Sequence, residues 1–199
     1  MPEEQTRESL ADQIFHSLTP SKFDDREQLF LPDDCIVRLI TKDAIRDMLG
    51  LGSNSTSSQE QVVEWIYREA RRVFATTIQC SISLSDVLKC MTTFQKRGFS
   101  DASLPIDNPR RSSDQEWLRH FRPKSVWTPI RLYCFWENQW KFLTPVFAMD
   151  RYDYDLLSEC IFPFTWKDPT FKEGAFSCVS KVKIHSAHQK HEFDEVRAP

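Results

Sequence analysis

Apolar positions recur at helical spacing through the first three-quarters of the chain and then switch to alternation. Leu10, Ile14, Phe15 and Leu18 make a short amphipathic patch within a polar opening interrupted by Pro2 and Pro20. In "PDDCIVRLITKDAIRDMLG", Ile36, Leu39, Ile40, Ile45, Met48 and Leu49 fit two short helices, the second capped by Thr41 and ending at Gly50. Residues 52–59 are polar and predict a loop. Ser58 and Gln61 have capping-box spacing, and the apolar stripe from Val62 to Ile78 predicts one long helix, the longest in the protein. The next helix carries Leu84, Val87, Leu88, Met91 and Phe94, with Lys96 and Arg97 in its last turn and Gly98 as terminator.

After a loop at 100–115, Ser113 and Glu116 box the start of a short helix bearing Trp117, Leu118 and Phe121. Thr128 and Pro129 open a further helix that continues through Trp136 and Trp140 until Pro145. From about residue 160 the period becomes two. Pro163, Pro169 and Gly174 punctuate the chain, and Val182 and Ile184 alternate with Lys181 and Lys183, which predicts a half-buried strand over 178–184.

With 40% hydrophobic and 28% charged residues over 199 positions, the chain is expected to fold as one or two globular domains. A net charge of −3 gives no basic field for nucleic acid or anionic lipid, so neither partner is expected. No apolar run approaches the roughly 20 residues that span a bilayer. The six scattered cysteines form no C-x-x-C, and no secretory apolar segment follows Met1, so the thiols are expected to be reduced and the location cytoplasmic. Four glycines are too few for Rossmann or Walker phosphate loops.

One glycine sits where chemistry is conceivable. In "KEGAFSCVSKVKIH", residues 172–185, Gly174 reads either as a hairpin turn or as the middle glycine of a kinase loop G-x-G-x-x-G-x-V, with Phe176 near the tip and Val179 in the valine position. The other two glycine positions hold Lys172 and Ser177, whose side chains obstruct close approach of backbone amides to phosphate. The segments "REQLFLPDD", "RGFSDASLPI", "QWKFLTPVF", "ECIFPFT" and "EGAFSCVSKVKIHSAHQ" together resemble the helical region and first kinase strands of filamentous-fungal serine/threonine protein kinase-like proteins, over roughly residues 25–190.

Periodicity and composition predict a mainly α fold, with a flexible N-terminal tail at 1–22 and a helical domain at 23–150, and the resemblance implies at 151–199 a partial kinase N-lobe: the glycine-rich-loop hairpin and a tail. The resemblance also implies ATP with magnesium as the cofactor and Gly174, Phe176 and Val179 as nucleotide-contacting residues. Full-length relatives would pass the ATP γ-phosphate to Ser or Thr. Here no strand lysine, H-R-D or D-F-G accompanies the loop, so no catalytic residue is assigned, the chain alone is expected to be inactive, and it stops about where the lysine strand should begin. The alternative is a non-enzymatic helical module that binds a protein partner through Trp136, Trp140 and the helix from Val62 to Ile78.

Other constellations support simpler readings. His185, His188 and His191, three apart, suggest either a zinc site or a polar loop, and no Cys or carboxylate at ligand spacing favours zinc. "DRYDYD" at 150–155 lacks the glycine and twelfth-position glutamate of a calcium loop. "RRSSD" at 110–114 offers a phosphorylatable serine beside arginines or, more simply, a helix cap. The tryptophans are expected in the core and the cysteines buried.

Overall fold

The computed structural model describes residues 8–52, 54–111, 116–151, 153–173 and 178–190, with backbone only at 171–173 and 178. Seven α-helices dominate these residues, as the periodicity predicts: α1 Leu10–Ser17, α2 Asp33–Leu39, α3 Lys42–Met48, α4 Ser57–Glu69, α5 Arg71–Ile78, α6 Leu84–Arg97 and α7 Pro129–Gln139. The strands pair two by two. β1 Thr19–Pro20 runs antiparallel to β2 Leu29–Phe30, β3 Phe147–Ala148 parallel to β6 Gln189–Lys190, and β4 Phe164–Glu173 antiparallel to β5 Cys178–Ile184. No helix among the described residues is long and apolar enough to cross a membrane.

Local chemistry sets the helix limits. Thr41 caps α3 by accepting the Ala44 amide at 3.2 Å, as expected. The capping box of α4 is Thr56 with Gln59, two residues before the predicted Ser58 and Gln61. The long helix expected from Val62 to Ile78 is broken at Ala70, whose φ of −140° leaves the helical region, so α4 and α5 are separate and the 14-residue α6 is longer. Gly98 ends α6 with φ +68°, a left-handed conformation that glycine adopts without Cβ strain. Residues 116–119 form a 3₁₀ turn, and the expected Ser113 box lies outside the described residues.

The chain divides into two compact units, Met1–Ser17 with Ile36–Gln139, and Leu18–Cys35 with Trp140–Pro199. This differs from the contiguous limits expected at residues 22 and 150. In the second unit the early segment is tied to the late one by backbone pairing: Leu31 donates to Lys141 O at 2.8 Å and Lys22 to Phe164 O at 2.7 Å. Ser21 Oγ donates to Phe162 O at 2.7 Å. Nor are residues 8–20 a tail, since α1 buries Leu10 and Ile14 and β1 pairs with β2.

The core of the first unit is aromatic. Phe94, Phe99, Phe121, Trp127 and Phe135 are all buried, with neighbouring ring centroids 4.7–6.4 Å apart. Gln139 of α7 is also buried, with both amide atoms used, accepting from Ile106 N at 2.8 Å and donating to Ile106 O at 2.9 Å. The second unit gathers Phe30, Trp140 and Ile161, with Leu143 packed on them. Beside this lies a ring cluster in which Phe23 meets Phe162 at 4.4 Å and Phe162 meets Phe164 at 5.3 Å.

Candidate functional site

Strands β4 and β5 form an antiparallel ladder on either side of Gly174. Phe164 pairs with Ile184 and Lys167 with Val182; beyond a register shift, Phe171 pairs with Ser180, Lys172 with Val179 and Glu173 with Cys178. The shift holds a tight Asp-Pro-Thr turn in which Asp168 Oδ1 accepts the Thr170 amide at 2.9 Å and its hydroxyl at 2.7 Å. Those two hydrogen bonds hold the Asp168 carboxyl below its ordinary pKa. Alternation along β5 follows the sequence pattern, with Val182 and Ile184 half-buried and Val179, Lys181 and Lys183 exposed.

Of the three nucleotide-contacting residues expected from the sequence, Gly174 and Phe176 lie outside the described residues. Val179 lies in the ladder with 66% of its surface exposed. Beside it the lysines of the same face could meet phosphate charge, whereas no group of three or more His, Cys, Asp or Glu residues suited to a metal ion occurs among the described residues. The face therefore fits the charge of a nucleotide phosphate and supplies no carboxylate set for magnesium.

A groove of about 840 Å³ opens between the 20–29 segment and residues 165–169 of β4. Trp166, 45% exposed, stands at its wall. Lys167 Nζ donates to Phe23 O at 2.8 Å and lies 5.5 Å from the Phe23 ring centre, so it is partly occupied with its own wall. Arg26 is likewise engaged with Asp24 through Nε at 2.7 Å, and this hydrogen bond lowers the Asp24 pKa and raises that of Arg26. Carboxylates of Asp24, Asp25, Glu27 and Asp168 face Lys22, Arg26 and Lys167, so the groove carries no strong field of either sign.

The remaining candidates separate. His185 and His188 have ring centres 6.0 Å apart, and His191 lies outside the described residues. His188 is buried with both ring nitrogens on backbone groups, Nδ1 3.0 Å from Pro145 O and Nε2 3.2 Å from Asp33 N, which spends both potential ligand atoms. Sequence reasoning missed this role because Asp33 is 155 residues away. The expected face for a partner is internal: Val62, Val63, Ile66, Val73 and Phe74 belong to the core of the first unit, and Trp140 is buried in the second. Trp136 is half-buried beside Tyr133, with ring centres 5.3 Å apart.

Cys35, Cys80, Cys90 and Cys160 are buried and Cys134 is half-buried. Burial pushes Cys90 up to about 12 and Cys160 up to about 11, the opposite of what an activated nucleophile requires. In the 150–155 stretch, Arg151 lies 4.6 Å from the Tyr154 ring centre and the Tyr154 hydroxyl accepts the Ala148 amide at 2.6 Å. Ser112 to Asp114 of the "RRSSD" motif lie outside the described residues. Comparisons with protein-family models, with curated proteins and with solved structures found no match for this chain.

Proposed function

We propose that this chain is the helical front region and opening hairpin of a serine/threonine protein kinase-like protein of the filamentous-fungal type, cytoplasmic, with Gly174, Phe176 and Val179 on the nucleotide side of the hairpin. The observation that carries this reading is the antiparallel β4–β5 ladder, which brings Lys172 opposite Val179 and Glu173 opposite Cys178 on the two flanks of Gly174. A glycine-rich loop works only as such a hairpin, because its strands must meet for the turn to lie over phosphates. Helices on either flank would have excluded it.

Lys172 and Ser177 in the outer glycine positions reduce the number of backbone amides that can reach phosphate, and the 199 residues contain neither H-R-D nor D-F-G. By themselves they are therefore read as a weak nucleotide contact without phosphoryl transfer. The test is thermal unfolding with ATP and magnesium. A site filled at 100 times its dissociation constant is stabilised by about 2.7 kcal/mol, and Val179→Asp should abolish the shift. An unchanged melting temperature at millimolar ATP removes the nucleotide role.

A second reading, a non-enzymatic interaction module, is favoured by one observation in the first unit. Leu10, Leu39, Ala44, Met48, Ile78, Ile82 and Leu84 line a groove of about 690 Å³, and Leu84 is 54% exposed. This reading predicts no response to ATP.

A further inference from the structure

His188 is 1% exposed, and its two hydrogen-bond partners differ in kind. The Pro145 carbonyl, 3.0 Å from Nδ1, can only accept, and the Asp33 amide, 3.2 Å from Nε2, can only donate. The geometry therefore fixes a neutral ring with its proton on Nδ1 and a lone pair on Nε2. The ring meets Phe30 edge-on at 5.3 Å and His185 at 6.0 Å, and the turn that carries it, Ser186–His188, leads directly into β6. A second proton would have to go on Nε2, where it would face the Asp33 N–H and bring a charge against the Phe30 ring.

Among the described residues, the groups acting on this ring are the Asp33 and Asp34 carboxylates and the Pro145 carbonyl, which favour the charged form, and His185, which opposes it. Burial outweighs these and lowers the pKa of His188 from the ordinary 6.5.

We propose that His188 is a pH-operated latch: neutral, it ties the Ser186–His188 turn to the backbone at Pro145 and Asp33, and protonation releases the turn together with the β3–β6 pair and the cover of Phe30. A lowered folded pKa means that the latch contributes its full stability above pH 6.5 and loses it as pH falls from there through the folded value. This inference is independent of the nucleotide reading.

The test is NMR on the full chain. Imidazole ¹⁵N shifts should report the Nδ1–H tautomer and a titration below 6.5. Amide protection at Asp33, corrected for intrinsic exchange, should fall between pH 7.5 and 5.0, by about tenfold for each unit separating the folded and unfolded pKa once both forms are charged. Protection at Phe94 in α6 should stay level. His188→Gln, which keeps one donor and one acceptor but does not titrate, should hold the Asp33 amide protected at both pH values. The proposal is overturned by an Nε2–H tautomer, by titration at or above 6.5, or by equal acid sensitivity in the glutamine variant. If that variant does not fold, the wild-type imidazole titration decides alone.

Discussion

Asp101 shows how one residue can complete a helix from a distance. α5 starts after Ala70, which has no side-chain oxygen to cap it. Asp101 instead accepts the amides of Arg72 at 3.1 Å and Val73 at 2.9 Å, and burial raises its carboxyl pKa despite both hydrogen bonds. Asp101→Ala leaves two partly buried amides without that acceptor and should cost about 1–3 kcal/mol in urea unfolding, with Asp101→Asn falling between it and wild type. An unchanged midpoint would mean that water takes over the cap. Gly98 offers a cleaner case, because a Cβ built there meets nothing within 4 Å while φ is +68°. Gly98→Ala should therefore cost only the backbone strain, about 1 kcal/mol, and a much larger loss would reveal a steric role. Gly98 was legible as a terminator because its signal is local, with Lys96 and Arg97 in the preceding turn. The Asp101 cap was not, because no periodicity links residues 28 apart. At the thiols, Cys90 near 12 and Cys160 near 11 hold almost no thiolate at neutral pH, so both should resist dithionitrobenzoate until the chain unfolds.

At the scale of elements, the sequence around α4 carries two overlapping signals. Thr56-x-x-Gln59 and Ser58-x-x-Gln61 both satisfy capping-box spacing, so spacing alone cannot choose the start. The earlier frame places Glu60 in the first turn of α4, where it accepts from Ser55 Oγ at 2.5 Å and from Arg46 at 2.9 Å. These hydrogen bonds, first that from Arg46, hold the Glu60 carboxyl below its ordinary pKa. Loop and α3 therefore reinforce the frame that local sequence left open. Thr56→Ala should cost about 1 kcal/mol and Ser58→Ala almost nothing. Equal effects in denaturant titrations would return the cap to the later frame. The break at Ala70 was equally hidden, because alanine is a strong helix former and the apolar stripe runs on through it. β5 was legible because its period of two is unambiguous: exposed Lys181 and Lys183 alternate with half-buried Val182 and Ile184.

For the molecule as a whole, a mainly helical class follows from summed periodicity, whereas the joining of two distant chain segments within the second unit follows from backbone pairings such as Leu31 with Lys141, which no local pattern encodes. The candidate site divides the same way. Its strand β5 could be read from alternation, but the backbone partners of His188 could not. The same reasoning decides the status of the first residues. Their polar composition suggests a tail, yet Ile14 is 0% and Leu10 6% exposed, α1 lies against α5, and Gln79 Nε2 donates to Ala11 O at 3.2 Å. Composition averages over a segment, while burial depends on the two or three side chains that face inward. Ile14→Ala should then cost about 2–5 kcal/mol, as for other fully buried aliphatic positions. That is a large share of the about 5–15 kcal/mol that holds a typical domain folded. The measurement is the urea midpoint of the full chain, paired with Phe15→Ala on the exposed face of the same helix as a control, where Phe15 is 60% exposed and the change should be about 0.5 kcal/mol or less. If both substitutions are equally mild, α1 contributes nothing to the first unit and these residues are a tail after all.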